Sequence, residues 1–187
     1  MIAKKLTQAM KLPKYRRPPL AEVVFEVDFK PIAHFKAAHF GVIWQRFQSD
    51  YPTCEDKIPL FSADSLSTEF PNQTFPLPRV WMIHRDDSRV IQVQNDRFIF
   101  NWRKRDDEYP TFDKIYPEFK RNYDVFVRTI TDLGLPELQP VRVQLSYVNP
   151  MPKGDAWNDI SEISALFPDI QWRMSPDRFI RHQRTAA

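Results

Sequence analysis

Glycine is scarce in this sequence, with three residues among 187, whereas proline occurs 17 times. Loops that cradle phosphate and folds that bind dinucleotides need glycine where the backbone approaches the ligand closely. The scarcity of glycine therefore argues against both of these classes of protein. We expect no bound cofactor.

Cysteine occurs once, as Cys54, which excludes an intramolecular disulfide and a metal site built from several cysteines. His34 and His39 lie five residues apart and miss the i, i+4 spacing of a helical metal-binding pair, so we expect no metal. Apolar runs are also too short for a membrane span, and no signal-peptide segment is evident. Together these absences predict a cytoplasmic protein.

The net charge of +3 conceals an uneven distribution along the chain. Residues 1–20 contain six basic side chains and no acidic one, which leaves −3 for the remainder. A basic, proline-containing arm over residues 1–19 predicts either a solubilising tail or a segment that contacts nucleic acid or an acidic partner through its charge. The nucleic-acid candidates are Lys4, Lys5, Lys11, Lys14, Arg16 and Arg17. The end of the chain, from Arg173, predicts a second basic tail.

Apolar residues recur with two clear periods. Period two predicts strands at residues 21–29, 79–84 and 141–148, and a hairpin over 89–104 that turns at Asn95-Asp96. A helical period predicts helices over 33–49 and 112–133, the second with Pro117 inside its apolar stripe. Residues 50–79 predict a long loop with room for a short strand.

This order of elements predicts an α+β fold, a two-layer sandwich. Its sheet would be antiparallel or mixed, with about five strands and two main helices, as a variant of the ferredoxin-like plan. We divide the chain into the arm (1–19), the α+β domain (20–150) and a C-terminal part (151–187). For the C-terminal part we predict a short helix and a basic tail.

The hairpin carries the densest set of polar side chains suited to recognition. Arginine and tryptophan dominate interface hot spots, and arginine also binds carboxylate or phosphate at two points. The interaction candidates are Gln92, Gln94, Arg97, Asn101, Trp102, Arg103 and Lys104. The alternative is that Trp102 fills the core, that Arg103 pairs with one of the acids at 106–108, and that the polar face meets only water.

Catalytic groups are sparse. Glu22, Glu26 and Asp28 form one face of the first strand, which is more typical of a solvated sheet face than of an acid–base cluster. His84 is the best candidate for a general base, although a lone histidine at a strand end is usually a surface residue. Neither Ser146 nor Cys54 lies in a nucleophile-elbow motif. We predict no catalytic residues.

Six stretches resemble, in order and spacing, an uncharacterised and sporadically distributed family of bacterial proteins. They are PPLAEVVFEVDF, HFGVIWQRFQSDYP, PRVWMI, VIQVQNDRFIFNWRK, YPTFDKIYPEF and VQLSYVNP, with QVQ-x-DRF-x-FNWRK as the signature. The similar region runs from about Arg16 to Pro150. The resemblance implies a family but no reaction. Family members are generally longer and continue with a strand-rich half, so residues 151–187 would correspond to a truncated second half.

These observations predict a non-enzymatic protein-interaction or regulatory module of a bacterial cytosolic system. Its partner is an unidentified protein, and its surface is the polar face of the hairpin together with loop 50–79. The sporadic distribution of the resembling family adds a hint of mobile or defence-associated genes. Two alternatives stay open: nucleic-acid binding through the basic tails, and an enzyme with a pocket beneath loop 50–79.

Overall fold

The computed structural model describes residues 18–60, 76–105, 109–154, 157–162 and 166–167. Six strands and two α-helices form the main body, and a 3₁₀ turn, Ile160–Glu162, follows. The strands and helices are β1 (Glu22–Phe29), α1 (Ala37–Phe47), β2 (Thr53–Lys57), β3 (Arg79–Ile83), β4 (Arg89–Gln94), β5 (Arg97–Arg103), α2 (Phe112–Asp132) and β6 (Pro140–Val148). The predicted α+β class is confirmed. The additional strand is β2, which forms within the segment that the sequence indicated as a loop.

The strands form one sheet in the order β2-β3-β4-β5-β1-β6, and every neighbouring pair is antiparallel. β1 lies between β5 and β6, and the helices follow β1 and β5 in the chain. The elements β1, α1, β4, β5, α2 and β6 therefore follow the split β-α-β plan of ferredoxin-like folds. β3 and β2 extend that plan at one side.

Alternation along the strands separates an apolar face from a polar one. In the β4–β5 hairpin Val93 lies opposite Phe98, and Ile91 lies opposite Phe100, while Asn95-Asp96 form the turn. These four apolar side chains are fully buried beneath the helices. The face assignment predicted for the hairpin is therefore confirmed.

Both helices pack on the apolar face of the sheet. α2 buries Ile115, Phe119, Phe126 and Ile130, which are spaced by four or seven residues as an amphipathic helix requires. It begins at Phe112 and passes through Pro117 without ending. α1 begins at Ala37, later than the sequence predicted, because the chain first turns at residues 33–34, where His34 has a φ of 64°.

The chain divides into two compact units, Met1–Asn149 and Pro150–Ala187. The second unit has little regular structure among its described residues: the 3₁₀ turn, a bridge between Lys153 and Trp157, and a hydrogen bond from Trp157 Nε1 to the Met151 carbonyl at 2.7 Å. Where the sequence predicted a short helix, residues 160–162 form this 3₁₀ turn and residue 166 is helical, while residues 163–165 lie outside the described residues. Neither α1 nor α2 combines the length and hydropathy needed to cross a membrane.

Candidate functional site

A ladder of side-chain hydrogen bonds crosses four strands on the polar face of the sheet. Arg79 Nη1 donates to Gln92 Oε1 at 3.1 Å, and Gln92 Nε2 donates to Asn101 Oδ1 at 2.7 Å. Asn101 Nδ2 then donates to Glu22 Oε1 at 2.7 Å. Each amide donates to one neighbour and accepts from the other, so the strands β3, β4, β5 and β1 are linked in a fixed register.

Gln94, the last residue of β4, also uses its side-chain amide to bond a neighbouring segment. Its amide accepts from the Leu60 backbone N–H at 2.8 Å and donates to the Leu60 carbonyl at 3.0 Å. A side-chain amide that bonds both backbone groups of one residue substitutes for a pairing strand. Gln94 therefore anchors the chain that leaves β2 against the polar face of the sheet.

Arg97 is the centre of a buried charge cluster. It donates to Glu26 Oε1 at 3.1 Å and to Asp96 at 3.1 Å, and it lies 3.9 Å from Asp28 Oδ1. Arg142 completes the cluster from β6 with a hydrogen bond from Nε to Asp28 Oδ2 at 2.7 Å. Burial, followed by the hydrogen bond and charge of Asp28, raises the pKa of Glu26 above its ordinary value.

Most of the interaction candidates from the hairpin are therefore internal. Four of them are buried and hydrogen-bonded within the chain, namely Gln92, Gln94, Arg97 and Asn101. They therefore do not form the open polar face that the sequence indicated. Trp102 lies in the core with its ring 5.4 Å from that of Tyr109, as the alternative interpretation held. The physical reason is that side chains of neighbouring strands bond one another across this face, and that the Leu60 backbone caps Gln94.

Arg103 and Lys104 have different surroundings. Arg103 donates to Asp87 in the β3–β4 turn, where Arg105 also binds. The acids at 106–108, which the alternative interpretation pairs with Arg103, lie outside the described residues. Lys104 is exposed, and its backbone N–H donates to the Ala21 carbonyl at 2.7 Å. Of the seven candidates, these two retain access to solvent.

Trp81 lies beside Arg103 on the polar face and collects cations around its ring. Lys57 Nζ is 5.1 Å from the ring centroid, Arg79 Cζ is 5.5 Å away and Arg103 Cζ is 5.9 Å away. A cation near an indole face is attracted by the ring quadrupole. We call the four residues Lys57, Arg79, Trp81 and Arg103 the Trp81 cluster.

The Trp81 cluster contains buried donors for which the described residues offer no acceptor. Arg79 Nε, Trp81 Nε1 and Arg103 Nε are buried and make no hydrogen bond within the part of the chain that the structure describes. Buried N–H groups without a partner each cost about 1–3 kcal/mol, and they are rare in native proteins. Burial, together with the charge of Arg97, lowers the pKa of Arg79.

The β6 edge presents an apolar surface. Val141, Val143, Leu145 and Tyr147 share the face of Val23, Phe25 and Val27 by their register with β1, yet they are 62%, 73%, 42% and 44% exposed. These side chains point to the helix side of the sheet, as the period-two alternation of β6 requires. They are nevertheless exposed, because the helices cover the sheet only as far as β1. Phe112 and Tyr116 of α2 extend this surface through their contacts with Phe25.

The opposite edge of the sheet, β2, is polar and charged. β2 reads Thr53-Cys54-Glu55-Asp56-Lys57, and four of its five residues are exposed. Charged side chains on an edge strand discourage pairing with another chain. β6 carries Arg142 as its one charged residue, and this side chain is held on the polar face by Asp28. Only the β6 edge is therefore chemically suited to pairing.

The candidate catalytic groups are not brought together. Glu22 and Glu26 lie on β1, whereas His84 follows β3, and both β4 and β5 intervene in the sheet. Glu22 bonds Asn101, Glu26 bonds Arg97, and His84 Nδ1 lies 2.7 Å from Asp86 Oδ1. Within the described ranges no group of three or more His, Cys, Asp or Glu side chains is arranged to hold a metal.

The two nucleophile candidates are also unsupported. Cys54 lies on the exposed edge strand β2, and partial burial with the neighbouring charges of Asp56 and Glu55 raises its thiol pKa. A raised pKa reduces the thiolate fraction and hence the reactivity. Ser146 Oγ is occupied by a hydrogen bond from Gln144 Nε2 at 2.9 Å. The six basic residues predicted to bind nucleic acid, and half of loop 50–79 (residues 61–75), lie outside the described residues.

Sequence reasoning missed the Trp81 cluster. Alternation places Arg79 and Trp81 on one face of β3, but it does not show that β2 adds Lys57 beside them or that Arg103 reaches them from β5. The signal that was available is the combination of Arg79 and Trp81 at i, i+2 in a strand, which sets a cation and an indole side by side. No family model, curated protein or solved structure matches this chain. The resemblance of the hairpin to a bacterial family therefore stays a prediction.

Proposed function

We propose that the domain is a protein-interaction module, and that its interface is the β6 face. This face comprises Val141, Val143, Leu145 and Tyr147 on β6 with Phe112 and Tyr116 on α2. The observation that carries the proposal is the exposure of a complete apolar row on an edge strand, with Val143 73% exposed. Contiguous apolar patches of this kind mark interaction sites.

The extent of the β6 face suits a standard interface. From the fractional exposures of its six side chains, it leaves on the order of 600 Å² of apolar surface open, which is at the upper end of what a monomer exposes. A specific interface takes about 800 Å² from each partner. The β6 face and the free backbone edge beside it together approach that area.

A second copy of the chain is the occupant that the chemistry of β6 favours. Two β6 strands pair antiparallel across a two-fold axis, which is the commonest symmetry of oligomers. With Gln144 opposite Gln144 of the second copy, Val143 faces Leu145 and Arg142 faces Ser146. No like charges oppose each other in this register, and apolar side chains meet on the helix side.

The proposal is tested by the association state of the full chain. Sedimentation velocity of the wild type at increasing concentration is expected to show a monomer–dimer equilibrium. Val143→Arg places a charge at the most exposed position of the β6 face, where it disturbs no internal packing, and it should weaken association at least about tenfold. Thr53→Arg adds the same charge to the other sheet edge and should associate as the wild type does.

Three outcomes would overturn the assignment. The wild type remaining monomeric up to about 100 µM would exclude a second copy as the occupant. Equal association of Val143→Arg and the wild type would exclude the β6 face. Loss of association in Thr53→Arg alone would move the interface to β2.

A further inference from the structure

The geometry of the Trp81 cluster points to a binding site for a phosphate group. This site is independent of the β6 face, because Lys57, Arg79, Trp81 and Arg103 direct their side chains to the opposite face of the sheet. It also differs from the hydrogen-bond ladder, in which the donors and acceptors of neighbouring amides already satisfy each other. In the Trp81 cluster the donors outnumber the acceptors.

Charge is the first argument. Lys57, Arg79, Arg103 and Arg105 face two carboxylates, those of Glu55 and Asp87. Among the described residues these four cations, the three of the Trp81 cluster and Arg105, therefore exceed the carboxylates within ion-pair distance by two. Arg79 has no carboxylate within ion-pair distance in the described parts of the chain, and its one side-chain partner is the neutral amide of Gln92. A phosphate monoester carries about the charge that would balance this excess.

Unsatisfied donors are the second argument. Arg79 Nε, Trp81 Nε1 and Arg103 Nε are shielded from water, and each lacks an acceptor among the residues that the structure describes. An oxyanion with several acceptor oxygens satisfies such donors together, and charge-assisted hydrogen bonds of this kind are about twice as strong as neutral ones. The side chains of Lys57 and Arg79 are long, and that of Lys57 is 38% exposed, so they can part to admit the group.

The indole of Trp81 is the third argument. It gathers the positive charge, because all three cationic centres lie within 5.9 Å of the ring centroid. Its N–H, which lies in the plane of the ring, is a further buried donor for an anion bound at the ring edge. The resulting site takes a phosphate group, supplied either by a small phosphomonoester or by a nucleic-acid backbone, whose phosphates each carry a single charge.

The experiment is a titration of the ¹⁵N-labelled full chain with inorganic phosphate at constant ionic strength, read at the tryptophan indole N–H signals. Trp81→Phe identifies the Trp81 signal. Phosphate is expected to shift that signal downfield, because its N–H gains an acceptor. Arg79→Ala should weaken phosphate binding at least about tenfold, whereas Arg128→Ala, which removes an exposed arginine from α2, should leave it unchanged.

Lys57→Ala provides a second variant that does not depend on the ladder, because Lys57 lies on an edge strand. It should also weaken phosphate binding. Acetate at the same ionic strength tests for general anion binding, and a short oligothymidylate tests the source of the phosphate. Tighter binding of the oligonucleotide than of phosphate, lost in Arg79→Ala, assigns the site to a nucleic-acid backbone. The reverse order assigns it to a small phosphomonoester.

The inference is wrong if phosphate leaves the Trp81 signal unmoved. It is equally wrong if acetate binds as tightly as phosphate, or if Arg79→Ala and Arg128→Ala bind phosphate alike. None of these outcomes bears on dimer formation through β6, so the two proposals fail or survive separately.

Discussion

Arg97 is the residue on which the polar layer of the sheet depends most. Its side chain is 7% exposed and lies among three carboxylates, those of Glu26, Asp28 and Asp96. Buried ion pairs contribute little net stability over apolar replacements, but removal of one partner leaves a buried charge without compensation. The arrangement therefore makes the fold sensitive to this one side chain.

Replacement of Arg97 by Met is expected to lower the free energy of unfolding by about 3–5 kcal/mol at pH 7, because Glu26, Asp28 and Asp96 would then repel one another at a buried site. Urea denaturation followed by circular dichroism measures the effect. Arg46→Met, which breaks an exposed ion pair with Asp132 at 3.3 Å, is the control and should change the stability by less than about 1 kcal/mol. A similar small loss for Arg97→Met would contradict the role assigned to the cluster.

Glu26 gives the pH dependence of the same cluster. Its pKa is raised in the folded chain, first by burial, so its protonation favours folding. That contribution is complete below the ordinary value of 4.5 and is lost as pH rises through the folded-state pKa. Glu26→Gln stays neutral throughout and should gain stability relative to the wild type between about pH 4 and pH 7. Parallel thermal-melting curves for the two proteins over this range would show that the pKa is not raised.

At the scale of single elements, β4 holds the segment that leaves β2. Gln94 on β4 bonds both backbone groups of Leu60, so one side chain holds the segment that leaves β2. Gln94→Ala is expected to accelerate hydrogen exchange of the Leu60 amide at least about tenfold, because its acceptor is lost while the strand pairing of β4 is retained. Gln144→Ala, on the exposed face of β6, is the matched control. Unchanged exchange at Leu60 would show that other contacts hold this segment.

Period-two alternation predicted the two faces of β1, β4, β5 and β6 correctly, but not which faces are covered. Val143 and Val27 lie opposite each other in register and have the same sequence character, yet one is exposed and the other buried. Covering depends on which strands lie beneath the helices, and this follows from the order of the whole sheet. The same limit explains why Gln92 and Asn101, marked as outward by alternation, are buried.

At the scale of the whole sheet, width explains why β6 is left open. Six strands spaced about 4.8 Å apart span roughly 25 Å, whereas two helices, each about 10 Å across, cover roughly 20 Å. α1 packs near β3 and α2 near β5, so the uncovered part falls at β6. The sequence indicated two helices and about five strands, so the sheet became wider than the helix layer only with β2 as a sixth strand.

Among the described residues, the buried apolar core runs from Leu20 to Ile130 and lies within the unit that ends at Asn149. A chain that ends at Asn149 is therefore expected to melt in one cooperative transition, with a midpoint within about 5 °C of the full chain. A chain that ends at Leu135 lacks β6, and β1 then loses one of its two neighbours together with the partner that Arg142 provides for Asp28. This shorter chain should melt at least about 10 °C lower or fail to fold.

Differential scanning calorimetry of the three chains distinguishes these outcomes. Loss of cooperative melting in the chain that ends at Asn149 would show that residues 150–187 are required for the core to form. Equal melting of the chain that ends at Leu135 would show that β6 contributes nothing to the sheet. In that case its apolar face could not be held in the geometry that pairing with a second copy requires, and the proposed interface would be lost along with it.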